Sequence, residues 1–160
     1  MTSIIEKLSS YNLFNYLLPG VLFVGISKYF LPINLIQENL LIGLFLYYFI
    51  GLVSSRIGSI AIEPFLKKLS ILNVAPYGDF INASKKDEKI KILSEVNNMY
   101  RTILGMFLLL VSLKLYYLVS QKLEFLANYD LSIGITLGIL LFVFSYKKQT
   151  DYIRKRVNKN

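Results

Sequence analysis

The chain has 160 residues, of which 54% are hydrophobic, with a mean hydropathy of +0.51 and a formal net charge of +8. It contains neither cysteine nor histidine, which excludes disulfides, thiolate metal sites and the usual neutral-pH general base. The apolar residues form long blocks with the charged residues in the gaps between them. This pattern is typical of a small integral membrane protein with a single domain, here residues 1–160.

Four apolar blocks follow one another along the chain, beginning with "LFNYLLPGVLFVGISKYFL" and ending with "LSIGITLGILLFVFSY". A helix needs about 20 residues to cross about 30 Å of hydrocarbon, and each block reaches that length with its flanking polar residues. The blocks predict transmembrane helices over residues 13–31, 36–55, 101–120 and 129–147. The expected fold is therefore an all-α integral membrane protein with four transmembrane helices.

The first block opens with "YNLFNYLLPG", after an amphipathic "SIIEKLSS". If this stretch lies at the cytoplasmic interface, Asn12 and Asn15 meet water or headgroups, and Tyr11 and Tyr16 belong to the aromatic belt. We favour that interpretation. If the helix instead enters the membrane at Leu13, Asn15 becomes a buried amide that should bond to a neighbouring helix.

The segment 56–100, between the second and third blocks, is the only sizeable part outside the predicted spans. Its pattern predicts a helical hairpin at the cytoplasmic or interfacial side, with arms over about 56–72 and 84–101. The first arm should lie along the membrane surface and break or kink at Glu63–Pro64, because proline disfavours a helical residue before it.

A turn is expected at "NVAPYGDF", between the two arms of the hairpin. Ser84 and Asp87 have the spacing of a capping box at the start of the second arm. That arm should continue without interruption into the third span. Its narrow apolar stripe would need a partner, either the first arm or another subunit.

The basic residues divide unequally between the two sides of a four-span chain, fourteen against three. The fourteen are Arg56, Lys67, Lys68, Lys85, Lys86, Lys89, Lys91, Arg101, Lys147, Lys148, Arg154, Lys155, Arg156 and Lys159. Because Lys and Arg accumulate on the cytoplasmic side of membrane proteins, we expect both termini, the insert 56–100 and the basic tail 147–160 to be cytoplasmic.

Lysine and arginine clusters beside a membrane bind anionic headgroups or acidic proteins. The candidates for lipid or partner docking are Lys67, Lys68, Lys85, Lys86, Lys89, Lys91, Arg154, Lys155 and Arg156. At the other side, Lys28 and Lys114 lie inside their blocks but near the outer ends. Either they snorkel to the headgroups, or they line the outer vestibule of an anion-favouring pore.

Small residues at a spacing of four let helix backbones approach closely. Gly134 and Gly138 have this spacing in the fourth block, and Gly51 and Ser55 have it in the second. The pattern indicates helix packing without identifying the partner. With only four spans, self-association would bury further faces, so we expect a homo-oligomer.

The sequence contains no recognisable arrangement of catalytic residues. No carboxylate lies in the middle of a block, and no serine–lysine pair or phosphate-binding glycine loop is recognisable. No cofactor or metal site is predicted, and we attribute the positive charge to membrane topology rather than to nucleic-acid binding. An intramembrane enzyme is therefore the least favoured of the function classes.

The stretches "YNLFNYLLPGVLF", "GLVSSRIGS", "SEVNNMYRTILGMFLLL" and "SYKKQTDYI" resemble small, uncharacterised multi-span inner-membrane proteins of bacteria. Such proteins sometimes occur in accessory or anti-phage loci beside a cytoplasmic effector, and the resemblance assigns no functional residues. It implies a bacterial inner-membrane protein. The expected function is a non-enzymatic anchor, scaffold or sensor whose cytoplasmic insert binds a partner protein. The alternative is an oligomeric channel or membrane-perturbing effector.

Overall fold

The computed structural model describes residues 12–158, and within them helices alternate with connecting segments. In chain order the helices are α1 (Leu13–Phe30), α2 (Leu40–Lys68), α3 (Tyr77–Lys86), α4 (Lys89–Ser120), α5 (Glu124–Asn128) and α6 (Asp130–Val157). The segment "SIIEKLSS", Tyr11 and the tail residue Lys159 lie outside the described residues.

The four long helices α1, α2, α4 and α6 are long and apolar enough to span a membrane, which confirms the predicted all-α, four-span fold. Helix α4 has 32 residues and starts well before the third apolar block, so the continuous helix expected there is confirmed, although it begins at Lys89 rather than at about residue 84. At 1.5 Å per residue, α2, α4 and α6 are about 42–48 Å long, which exceeds a hydrocarbon core of about 30 Å. These helices therefore extend beyond the membrane, and the extensions carry most of the basic residues.

A compact core is formed by α1, α2 and α4. Their backbones approach at glycines, because a Cβ added at Gly51 would lie 1.7 Å from the Tyr16 carbonyl oxygen, and one at Gly105 would lie 2.1 Å from that of Ser54. Phe23, Met106 and other buried apolar side chains fill the remaining space. The core is thus held by close backbone contact as well as by apolar packing.

Helix α6 lies at the edge of this core and packs mainly against α2. The rings of Phe49 and Phe142 stack with their centroids 6.3 Å apart. In the described part of α6, Ser145 is the only buried residue. Gly134 and Gly138 have no atoms of neighbouring elements within 4 Å of a Cβ built there.

Two prolines follow short π-helical turns, and neither ends its helix. In α1 the turn Leu13–Leu17 precedes Pro19, and in α2 the turn Gly58–Ile62 precedes Pro64. A proline cannot donate an i→i−4 hydrogen bond, and its ring collides with the carbonyl four residues back. The wider π turn accommodates the ring. Of the predicted break or kink at Glu63–Pro64, the break is therefore wrong, and the first arm of the hairpin continues α2 to Lys68.

The rest of the insert also differs in detail from its prediction. Helix α3 begins at Tyr77, so the second half of the expected turn "NVAPYGDF" is helical, and only residues 73–76 of it lie outside a helix. Ser84 is buried in α3 and donates to the Ile81 carbonyl, so the predicted capping box is wrong. Asp87 instead accepts at 2.9 Å from the backbone N–H of Lys89, the first residue of α4.

Candidate functional site

The π turn in α2 leaves one carbonyl without a helical donor. In an α-helix the Ser59 oxygen would accept from Glu63, but the Glu63 N–H donates to Gly58 instead. In a π-helix the donor would be residue 64, which is proline and has no N–H. The Lys148 ammonium of α6 occupies this position and donates to the Ser59 oxygen at 2.6 Å. A local defect in α2 thus becomes the attachment point for α6.

Glu63, at the exit of the same turn, is shared by three cations. Its carboxylate lies 2.6 Å from Lys67 Nζ, 3.0 Å from Arg101 Nη1 and 3.3 Å from Lys148 Nζ. The cations belong to α2, α4 and α6, so a single carboxylate connects three long helices. We call Glu63, Lys67, Arg101 and Lys148 the Glu63 cluster.

Glu63 and Lys148 lie outside the predicted spans, and their pKa values are shifted from the ordinary ones. Burial alone would raise the pKa of Glu63, but the Lys67 hydrogen bond and the three positive charges hold that pKa below its ordinary value. For Lys148, burial dominates and lowers the pKa, although the shared Glu63 carboxylate acts in the opposite direction. The directions agree with the geometry, because Glu63 has three partners whereas Lys148 has one carboxylate that it must share.

Tyr152 of α6 borders the cluster. Its ring centroid lies 5.9 Å from that of Tyr77 in α3, and the Lys148 ammonium lies 5.9 Å from the Tyr152 centroid. Burial and the negative charge of Glu63 raise the pKa of the Tyr152 phenol. Through this ring the short helix α3 of the insert also contacts the end of α6.

A second polar link crosses the core at Asn15. This side chain is 1% exposed, and its Oδ1 accepts a hydrogen bond from Thr102 Oγ1 at 3.0 Å. Asn15 is therefore not the interfacial residue that we favoured from the sequence. It is the buried amide of the alternative interpretation and bonds to α4.

The predicted docking residues do not form one site. Lys67 belongs to the Glu63 cluster, and Arg154 pairs with Asp151 at 3.2 Å. The remaining seven are exposed and are distributed over the ends of α2, α3, α4 and α6; they are Lys68, Lys85, Lys86, Lys89, Lys91, Lys155 and Arg156. They form a broad basic surface, and their docking role stays a prediction.

Lys28 and Lys114 contact aromatic rings at the opposite end of the bundle. Lys114 Nζ lies 5.6 Å from the Phe30 centroid and 5.7 Å from that of Tyr117, and Lys28 Nζ lies 5.8 Å from that of Tyr29. Such contacts are ordinary cation–π interactions. The vestibule role of these lysines stays a prediction.

The predicted packing residues divide into two groups. Gly51 and Ser55 are buried in the core, where Gly51 faces the backbone of α1. Gly134 and Gly138 face open space within the chain. The same sequence pattern therefore packs against another helix of the chain in α2, whereas in α6 it contacts no other helix of the chain.

Sequence reasoning missed the Glu63 cluster. A signal for it was present, because Glu63 is the only acidic residue from Leu40 to Gly78 and directly precedes a proline in a helix that is mostly apolar. Within residues 12–158 no group of three or more acidic side chains is arranged to hold a metal ion.

The four long helices and the charge cluster at their basic end define a multi-span helical membrane protein. Comparison with protein-family models, curated proteins and solved structures finds no match to this chain. These comparisons therefore do not assign the chain to a family.

Proposed function

We propose that the protein is a non-enzymatic anchor, scaffold or sensor subunit of the bacterial inner membrane, and that its cytoplasmic helical insert binds a partner protein. The observation that carries this proposal is a row of exposed apolar side chains on the stem, which we define as residues 89–100 of α4. Ile92, Leu93, Val96 and Tyr100 are exposed and follow each other at helical spacing on one face.

This row lies outside the hydrocarbon. A span of about 20 residues counted back from Ser120 ends near Arg101, so the stem projects about 18 Å beyond it. The stem also carries three exposed charged side chains, those of Lys89, Lys91 and Glu95. Charged side chains of this kind indicate that the stem is surrounded by water rather than by lipid. Apolar residues at this spacing are the anchors that a groove-binding or helix-pairing partner recognises.

The charge of this end favours an acidic partner. Fourteen basic residues face six acidic ones here, which are Glu63, Asp79, Asp87, Glu88, Glu95 and Asp151. A matching partner is an amphipathic helix with an apolar face and acidic flanks, since complementary charge favours association and orients the partner. Self-association of the spans belongs to the same proposal, and the open face of α6 is available for it.

Replacing Leu93 with glutamate should abolish partner capture because it places a charge in the apolar row. The matched control is Val157→Glu, since Leu93 is 66% exposed and Val157, on the basic tail, is 67% exposed. Cross-linking in cells followed by affinity purification should recover a protein with Val157→Glu and with the unchanged chain, but not with Leu93→Glu.

Capture of the same protein by both variants would contradict the proposal. Raising the salt concentration should weaken the interaction, because exposed charges are screened. Reproducible ion flux through the purified protein in liposomes would argue against an anchor and favour the alternative, an oligomeric channel.

The orientation can be tested with single cysteines, since the chain has none of its own. Asn82 lies in the insert and Gln121 follows α4 at the other end, and both are exposed. In intact cells a membrane-impermeant maleimide should label Gln121→Cys at once and Asn82→Cys only after permeabilisation. The reverse pattern would overturn the cytoplasmic placement of the insert.

A further inference from the structure

A cleft lies between α2 and α6 beside the Glu63 cluster. Its inner recess, of about 20 Å³, is lined by Arg56, Ser59, Lys148, Gln149 and Tyr152 among others. Ser59 and Lys148 also line an adjoining, more open cleft of about 250 Å³. We call the two together the α2–α6 cleft. None of its basic residues belongs to the docking set predicted from the sequence.

The α2–α6 cleft carries positive charge that the described residues do not neutralise. Arg56 makes no ion pair or hydrogen bond there, and its Nε is buried without a partner. Lys148 shares the single Glu63 carboxylate with two other cations. The carboxylate that lines the cleft itself, Asp151, is paired with Arg154. An anion in the cleft would therefore be stabilised.

The walls of the open part show what kind of anion fits. Phe144, Ile60 and Pro64 are apolar, and Lys147 lies on the same wall as Phe144, at the end of the fourth predicted span. The cleft thus joins an apolar surface at membrane depth to a basic surface at the headgroup level. A free inorganic anion uses only the second of these, whereas a phospholipid uses both.

We infer that the α2–α6 cleft binds the phosphate headgroup of an anionic phospholipid. The recess has room for one water or one phosphate oxygen. The headgroup therefore lies in the open part against Lys147 and Lys148, and Arg56 supplies unpaired positive charge behind it. The glycerol and the first acyl carbons lie against Phe144. Basic pockets between helices on the cytoplasmic side are recognised sites for such headgroups.

The test uses the full-length protein in neutral detergent micelles that contain either phosphatidylglycerol or phosphatidylcholine. Native mass spectrometry measures retained lipid, and titration measures its apparent affinity. We expect selective retention of phosphatidylglycerol. Lys147→Gln should weaken its binding about five-fold, as expected for the ~1 kcal/mol of one lysine at a headgroup.

Lys122→Gln is the matched control, because Lys122 is also exposed, the charge removed is the same, and it belongs neither to the cleft nor to the predicted docking residues. We expect it to change the affinity less than two-fold. Equal effects of the two variants would show diffuse surface attraction and overturn the site. Arg56→Gln gives an independent check and should also reduce retention of phosphatidylglycerol.

Inorganic phosphate distinguishes the two sources of the same chemistry. At the concentration of phosphatidylglycerol that saturates the site, an equal concentration of phosphate should leave the bound lipid in place. Displacement by phosphate at that concentration, or equal retention of phosphatidylcholine, would overturn the assignment to an anionic phospholipid.

Discussion

Replacing Gly51 with alanine is expected to destabilise the protein severely, by at least ~3 kcal/mol, which is the upper part of the range for overpacked cores. The added Cβ would lie 1.7 Å from the Tyr16 carbonyl oxygen and 2.6 Å from its carbonyl carbon. These atoms belong to the backbone of α1 and cannot move aside as a flexible side chain would. Relief therefore requires α1 and α2 to separate, which also opens the packing around them.

Gly134→Ala is the matched control for Gly51→Ala, because nothing lies within 4 Å of a Cβ built at Gly134. The midpoint of thermal unfolding in detergent, followed by circular dichroism, should fall strongly for Gly51→Ala and stay near that of the unchanged chain for Gly134→Ala. If the open face of α6 mediates self-association, Gly134→Ala should change the oligomer fraction at unchanged stability. Similar midpoints for both variants would contradict the close approach of α1 and α2.

The contrast between Gly51 and Gly134 shows what a local pattern can predict. Both belong to small-residue pairs spaced by four, and the sequence offers no means of distinguishing them. Whether another helix packs against such a pair depends on the arrangement of all the helices in the bundle. The four spans, in contrast, follow from lengths of apolar sequence alone, because the hydrocarbon thickness sets the helix length.

The proline at position 64 shows where a local rule fails for a physical reason. Proline removes one hydrogen bond and crowds one carbonyl, so a break or kink in the helix is the expected outcome. In α2 the Glu63 N–H donates to Gly58 instead of Ser59, and the helix continues through a π turn. The Ser59 carbonyl, which then has no donor within the helix, accepts a hydrogen bond from Lys148, 89 residues away along the chain. Only the tertiary structure supplies that donor.

The sequence signals that Glu63 is unusual, but it does not identify the partners of this carboxylate, for the same reason. Its partners Arg101 and Lys148 are 38 and 85 residues from Glu63, and fourteen basic residues compete for the same assignment. The burial of Asn15 was easier to predict, because it was one of the two interpretations that the sequence allowed. The choice between them depended on where the helix begins, which apolar composition does not determine.

Replacing Glu63 with glutamine should lower the free energy of unfolding at neutral pH by about 2 kcal/mol. Removing one partner of a fully buried ion pair costs about 3–5 kcal/mol. The partners here are 23–41% exposed, so water screens part of the effect. Glutamine keeps the shape of the side chain but leaves Arg101 and Lys148 facing each other without a counter-charge.

The loss should be greatest where α6 meets α2, since α6 has few other contacts with the core. Hydrogen exchange of the backbone amides of α6 should accelerate in Glu63→Gln, while the exchange of α1 and α4 should change less. Glu95→Gln removes the same charge from an exposed position on the stem and should leave both the stability and the exchange unchanged. A stable Glu63→Gln variant with protected α6 would contradict the role of the cluster as the attachment of that helix.

The pH dependence gives a separate test of the same carboxylate. Because the pKa of Glu63 in the folded protein lies below its ordinary value, its ionised form stabilises the fold above the unfolded-state pKa of about 4.3. That contribution is lost as the pH falls through the lower, folded-state pKa. The difference in unfolding free energy between the unchanged chain and Glu63→Gln should therefore be constant from about pH 6 to 7. It should shrink below about pH 4, where protonation of Glu63 makes the two chains electrostatically alike at this position.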